Sequence, residues 1–281
     1  RAIQQSFDSL QKQRYEKALE EIEPVLKEDP EMVDAHFVAG VACIGLGRFD
    51  PAIEELLRTL SFRPDDTMAL YNLAYTYELK GDLAEAEKWY QKVLRNEPKH
   101  LFATLKLAHI YREWNQPGRA REYFLSAVAP YERALASTRA EKARAALHST
   151  LGEIYFGAGD LSNAERNFRA AIQLTPDRDT LHFDLAQIFE ARDQIPEAVE
   201  AYRQEIGVDP RSFKAYNNLG LLYQNTNRLE DAALCFRKVI ELDEKNPRGY
   251  LLLSGVYRKM GRERDAAKVL RMAQQQGIPV D

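Results

Sequence analysis

The chain has 281 residues, 45% of them apolar and 29% charged, a balance that sustains a buried core and excludes a disordered chain. A formal net charge of −4 gives no bulk attraction for nucleic acid. No apolar run approaches the ~18 residues that would cross a bilayer, so no direct membrane insertion is expected.

In chain order, the first helix pair begins near residue 1 and lacks its leading residues; it sets Ser6 against Ala18 and Ile22 and stops at Pro30. The second, near residue 33, carries Gly40 and Cys43, a turn at Gly47, then Ala52, Leu56 and Pro64. The third, near 67, repeats this as Ala74, Tyr77, Gly81, Ala86, Tyr90 and Pro98. The fourth, near 101, has Ala108, Tyr111, Asn115, Ala120 and Phe124. After it the spacing lengthens once. Pairs then begin near 145 (Gly152, Tyr155, Gly159, Ala164, Phe168, Pro176), 179 (Ala186, Phe189, Asp193, Ala198, Tyr202, Pro210), 213 (Gly220, Tyr223, Asn227, Ala232, Phe236) and 247 (Ser254, Tyr257, Gly261, Ala266, Leu270). The alanines at 18, 52, 86, 120, 164, 198, 232 and 266 are 34 residues apart except for one step of 44.

Each column has a physical reason. Apolar residues three and four apart form the buried stripe of a helix. Small residues let two helix backbones approach, and the aromatics fill the space beside them. Gly, Asn and Asp tolerate the left-handed conformation that ends one helix before the next begins. Pro51, Pro117 and Pro196 sit near the first turn of a second helix, where a missing N–H costs nothing, and the recurring proline after that helix stops it.

With this series in place, the chain resembles the tetratricopeptide-repeat family, and Tyr216-Asn217-Asn218-Leu219-Gly220-Leu221-Leu222-Tyr223 matches the family's first helix closely. The resemblance covers essentially the whole chain. It implies an all-α, right-handed superhelical solenoid of about eight helix-turn-helix repeats, in which the first helix of each pair (helix A) lines the inner surface.

The domain reading is four motifs over residues 1–134, a helical insertion at 135–144, and four motifs over 145–281, as one continuous solenoid. The ten extra residues, rich in Ala, Glu, Lys and Arg, lengthen the helices on both sides, with Ser137 or Thr138 capping the second. Arg1 at the start suggests a truncated terminus. Little follows the last helix, so the chain reads as a piece of something longer, or as an end that meets a partner or another copy.

A search for chemistry finds none. Gly40 to Gly47 lacks the Lys-Ser/Thr ending of a phosphate loop. His36, His148 and His182 share a helix-A packing column, His100 sits at a repeat boundary, and only His109 falls on an open face. Cys and His have no zinc spacing, and carboxylates scatter over solvent faces, so no metal, cofactor or catalytic residue is assigned and the chain is not read as an enzyme. Cys43 and Cys235 are too few for a disulfide framework; reduced, buried thiols point to the cytoplasm.

The function implied by the resemblance is a protein-interaction scaffold or adaptor that binds a peptide or helix of a partner in its groove. The peptide-binding set is Asn72, Tyr75, Lys106, His109, Arg112, Lys214, Asn218 and Arg248. In related arrays an asparagine in the column of Asn72 and Asn218 bonds the backbone of a bound peptide, although both can equally be solvated helix residues. The carboxylate clamp of chaperone-binding relatives is not supported, because Leu252 stands where its second asparagine is needed and Asp34 replaces a leading lysine. Two alternatives remain open. A basic last repeat and acidic first repeat allow a homo-oligomeric array assembled through its ends. The chain could also be the regulatory region of a longer enzyme such as a protein O-glycosyltransferase.

Overall fold

The structure is a computed structural model that describes residues 2–178 and 180–280. It contains sixteen α-helices and no strand among the described residues. They fall into two compact units, Arg1–Ala129 and Pro130–Asp281, whose boundary lies inside one helix.

The first unit holds α1 (Ala2–Gln11), α2 (Tyr15–Glu28), α3 (Val33–Gly45), α4 (Phe49–Phe62), α5 (Thr67–Lys80), α6 (Leu83–Asn96) and α7 (Leu101–Glu113). The boundary helix is α8 (Pro117–Ser137). The second unit continues with α9 (Glu141–Gly157), α10 (Leu161–Leu174), α11 (Leu181–Ala191), α12 (Ile195–Val208), α13 (Phe213–Asn225), α14 (Leu229–Leu242), α15 (Pro247–Lys259) and α16 (Glu263–Gln275). The fold is an all-helical repeat solenoid of antiparallel pairs.

The turn inside every pair follows one rule. Gln13, Gly47, Gly81, Asn115, Gly159, Asp193, Asn227 and Gly261 all have positive φ, between +54° and +87°. The next residue's N–H then donates back to the carbonyl five positions earlier, as Arg48 does to Cys43 at 2.9 Å and Arg262 to Tyr257 at 2.8 Å. This bond satisfies a carbonyl that the helix end would leave orphaned. Gln13 takes part without being a residue type that announces it.

The small column is equally physical. A Cβ on Gly152 would lie 2.7 Å from the Phe168 ring, and one on Gly220 would lie 2.6 Å from the Phe236 ring. Glycine is therefore what lets each ring reach the facing helix. Along the column of large residues, Ile22, Leu56, Tyr90 and Tyr202 are fully buried.

The structure corrects one expectation. Neither Ser137 nor Thr138 caps α9, which starts behind Ala140 with no side-chain cap. Both hydroxyls instead donate back to the Ala134 carbonyl, at 3.0 and 2.7 Å. They close α8, because a hydroxyl at a helix end can reach the carbonyl one turn back as readily as an N–H ahead.

Candidate functional site

In the first unit, α5 and α7 place five of the residues singled out in the sequence on one open face. Lys106 Nζ lies 2.6 Å from Glu78 Oε1 and 4.9 Å from the centre of the Tyr75 ring. The other Glu78 oxygen, Oε2, accepts the Tyr90 hydroxyl at 2.6 Å. Tyr90 comes from α6 and is completely buried, so its hydroxyl passes through the helix layer to reach this face. Burial first, and then the Glu78 hydrogen bond, push the phenol well above its ordinary pKa.

Arg112 donates to His109 Nδ1 at 3.1 Å, and the His109 ring stands edge-on against Phe124 at 5.1 Å. Burial, followed by the Arg112 and Lys106 charges, lowers the His109 pKa, so the ring is neutral at pH 7 and can accept that bond. Arg112 has no carboxylate partner among the described residues. Tyr71 lies 6.5 Å from both Tyr75 and Phe102, and 5.2 Å from His100. Met68 and Phe102, in equivalent places on neighbouring helices, are each 65% exposed, more than any other large apolar side chain among the described residues. Asn72 turns back on its own helix, its Nδ2 donating to the Met68 carbonyl at 2.8 Å.

In the second unit, Asn218 Nδ2 donates to the Tyr202 hydroxyl at 3.1 Å, and Asn217 donates to Asn218 Oδ1 at 3.1 Å. Glu190 acts electrostatically on the same tyrosine, helping burial to raise its phenol pKa. Beside them opens a cleft of about 540 Å³ lined by Glu190, Asp193, Ile195, Asn218, Leu221 and Asn225, among others. Lys214 is exposed on the first turn of α13, and its charge acts on Asp184. Arg248 is exposed on the first turn of α15, its own N–H held by Asn246 Oδ1 at 3.0 Å. No hydrogen bond or ion pair among the described residues joins Arg248 to Lys214 or Asn218.

Asp184 is the strongly displaced carboxyl of this unit, pushed up to about 7 by burial and by the Glu153 and Glu205 carboxylates. Glu205 is itself buried and caps α11 from the neighbouring helix, accepting the N–H groups of Thr180 at 2.8 Å and Phe183 at 3.2 Å. Anionic caps suit a helix N-terminus.

The remaining histidines serve packing. His36 is buried and bridges Glu55 at 2.5 Å and the Pro30 carbonyl at 2.8 Å, and His148 meets Asn167 at 2.9 Å. His182 lacks this support. Its Nδ1 is buried with no partner, because Ala201 occupies the place that Glu55 and Asn167 take in the other two pairs. Cys43 and Cys235 are buried free thiols, raised in pKa mainly by burial, Cys235 to about 11. Among the described residues no group of three or more His, Cys, Asp or Glu could hold a metal ion, and no helix is long and apolar enough to cross a membrane.

Sequence reasoning missed Tyr90 and Tyr202, which it placed among the large packing residues. A signal was present: they are the only tyrosines in that column, and each has a glutamate twelve residues earlier.

Family models described as tetratricopeptide repeat match residues 8–66, 44–100, 149–213 and 213–246. A TPR repeat-containing protein of Pseudomonas aeruginosa is 24% identical over 168 residues, which is 59% of this chain and 27% of the relative. The uncharacterized protein ycf37 of Cyanophora paradoxa is 38% identical over 71 residues, 25% of this chain and 41% of the relative. The chain thus spans less than half the length of these two relatives. Among solved structures, a tetratricopeptide repeat protein from Parabacteroides merdae superposes with a TM-score of 0.69 at 18% identity, over 91% of this chain and 97% of the other. In the APC/C hetero-tetramer Cut9–Hcn1, the match has a TM-score of 0.63 at 14% identity, over 89% of this chain and 48% of the other. At these identities the structural matches speak for the fold alone.

Proposed function

The chain belongs to the tetratricopeptide-repeat family, and on that premise we propose that it is a protein-interaction scaffold that holds a segment of a partner on the open face of α5 and α7. Tetratricopeptide repeats generally mediate contacts between proteins. The observation that carries the reading is that α5 and α7 present the exposed pair Met68 and Phe102 at their first turns and, ten residues (about 15 Å) further along α7, Arg112, a guanidinium without a carboxylate. Exposed apolar side chains within one bound segment's reach of an unpaired charge mark a recognition surface. The segment that fits is acidic and carries apolar side chains: its apolar groups rest on Phe102, Tyr75 and Met68, and a carboxylate reaches Arg112. Lys106 is already paired with Glu78, and the net charge is −4, which favours a few carboxylates over a polyanionic backbone. Asn72 would release its own helix carbonyl to bond the segment's backbone. Lys214, Asn218 and Arg248 belong to the other unit and would act there.

The test is fluorescence polarisation of the whole chain with a labelled peptide of alternating Glu and Leu. Saturable binding is expected, weakened at least tenfold by Arg112→Glu and by Phe102→Asp. Equal affinity in both variants would overturn the assignment of this face.

A second reading, self-association through the basic end, has one supporting observation. α14, α15 and α16 enclose an open hollow of about 320 Å³ lined by Ile240, Leu253, Val269 and Met272, among others. Sedimentation that shows only monomer at all concentrations and salt levels would remove it.

A further inference from the structure

Positions 112 residues apart carry the same frame in the two units. In the first, Tyr71 packs on Tyr90 with ring centres 5.6 Å apart and planes at 57°. In the second, Phe183 packs on Tyr202 at 5.6 Å and 61°. The Tyr90 hydroxyl donates to the glutamate twelve residues before it, Glu78, and Glu190, twelve before Tyr202, acts on that hydroxyl electrostatically. The polar residue at the same place on the next helix completes each frame: Lys106 through Glu78, Asn218 by a direct bond to Tyr202. No other pair can build it, because the remaining residues in the tyrosine column are Ile22, Leu56, Phe124, Phe168, Phe236 and Leu270.

The groups around the frame are exchanged. Where the first unit has Asn72, Lys106, His109 and Arg112, the second has Asp184, Asn218, Leu221 and Gln224. Lys106 and Arg112 of the first face have no cationic counterpart, a carboxyl has been added at Asp184, and Lys214 stands where the first unit has Phe102.

We propose that the second frame is a second, separate binding site, which takes a lysine or arginine side chain from a partner segment into the cleft between Glu190 and Leu221. The cleft has the size and lining for it: about 540 Å³, with Ile195, Leu221 and Leu222 available to the aliphatic stem and Glu190 and Asp193 to the charged head. Asn218, held by Tyr202 and Asn217, offers its amide to the segment's backbone. Among the described residues neither Glu190 nor Asp193 makes an ion pair, and Asp184, six residues before Glu190 on α11, lies outside the lining. Asp184 on α11 faces Glu153 from α9, Glu205 from α12, Lys214 from α13 and Arg178 from the segment before α11. Neither cation makes an ion pair with it within 4 Å among the described residues. The protein is then bivalent, with one site per unit and opposite charge preferences.

The probe is a labelled peptide of alternating Lys and Leu, titrated into the whole chain by fluorescence polarisation beside the Glu–Leu peptide. Saturable binding is expected, weakened at least tenfold by Glu190→Gln and by Leu221→Arg, and unchanged by Arg112→Glu. Glu–Leu binding should survive Leu221→Arg, which also shows that this variant is folded. If the Lys–Leu peptide binds equally well to Glu190→Gln and Leu221→Arg, the second site is wrong. Binding of the Glu–Leu peptide alone would overturn the second site as well, and the reading of the α5–α7 face then stands. Failure of both peptides to bind would overturn both.

Discussion

The Tyr90 hydroxyl and the Glu78 carboxylate meet at 2.6 Å across the helix layer of the first unit, so one residue that is wholly buried and one on the open face are fixed by a single bond. The second Glu78 oxygen is taken by Lys106. A fixed carboxylate of this kind sets where the lysine stands, and the lysine in turn lies over the Tyr75 ring.

Tyr90→Phe keeps the ring and removes the donor. A hydrogen bond to a charged group contributes about 1.5–3 kcal/mol, and Glu78 keeps Lys106 as a partner, so the loss should fall at the lower end of that range. Tyr90→Ala also empties a fully buried site and should cost about 3–5 kcal/mol. Urea denaturation of both variants gives the two midpoints, and a Tyr90→Phe variant as stable as the parent would show that the bond contributes nothing.

The repeat was readable because its turns and packing columns use residue types with narrow physical duties. Gly47, Asn115 and Asp193 declare a left-handed turn; Gln13 does the same work but shows it only through its φ of +55°. Lys106 was visible as a polar residue on an open face, yet its partner belongs to the previous repeat, 28 positions away. Tyr90 and Tyr202 were read correctly as large and buried. What spacing could not show is that their hydroxyls emerge on the other side of the layer. Glu205 was hidden for a similar reason, since it caps a helix that begins some 24 residues before it.

The two histidines of one packing column should respond oppositely to the same change. His36→Leu strands the Glu55 carboxylate and the Pro30 carbonyl, and should destabilise by about 1–3 kcal/mol. His182→Leu removes a buried nitrogen that has no partner, and should be neutral or stabilising by up to about 1 kcal/mol. Equal losses in the two urea curves would contradict the role given to Ala201.

Asp184 gives the second unit an unusual pH dependence. Its folded pKa of about 7 lies above its ordinary value of 3.8, so the folded state holds the proton more tightly than the unfolded chain does. Its contribution is therefore most favourable at low pH and is lost as pH rises from about 4 to about 7, with little further change above. Asp184→Asn should be more stable than the parent at pH 8, by something on the order of 2 kcal/mol, and the advantage should shrink toward pH 5. Thermal melts of both proteins across this range measure the difference directly. A gap that stays constant with pH would mean that Asp184 titrates as an ordinary surface carboxylate.

Glycine-to-alanine changes separate two uses of glycine within neighbouring helices. At Gly220, on α13, a new methyl group would stand 2.6 Å from Phe236 Cε1, and that ring is fully buried. The ring cannot retreat without disturbing the packing between α13 and α14, so Gly220→Ala should cost about 1–3 kcal/mol. At Gly255, inside α15, nothing lies within 4 Å of the added carbon, and the backbone is not in the left-handed region. Gly255→Ala then gains only helix propensity and a less flexible unfolded chain, about 0.5–1 kcal/mol in favour of folding. Gly255 stands one position past the small column, whose member on α15 is Ser254, so the two changes compare a glycine pressed against the partner helix with one that faces open space. A stabilising Gly220→Ala in urea denaturation would show that Phe236 has room to move, and that close helix approach is not what this column requires.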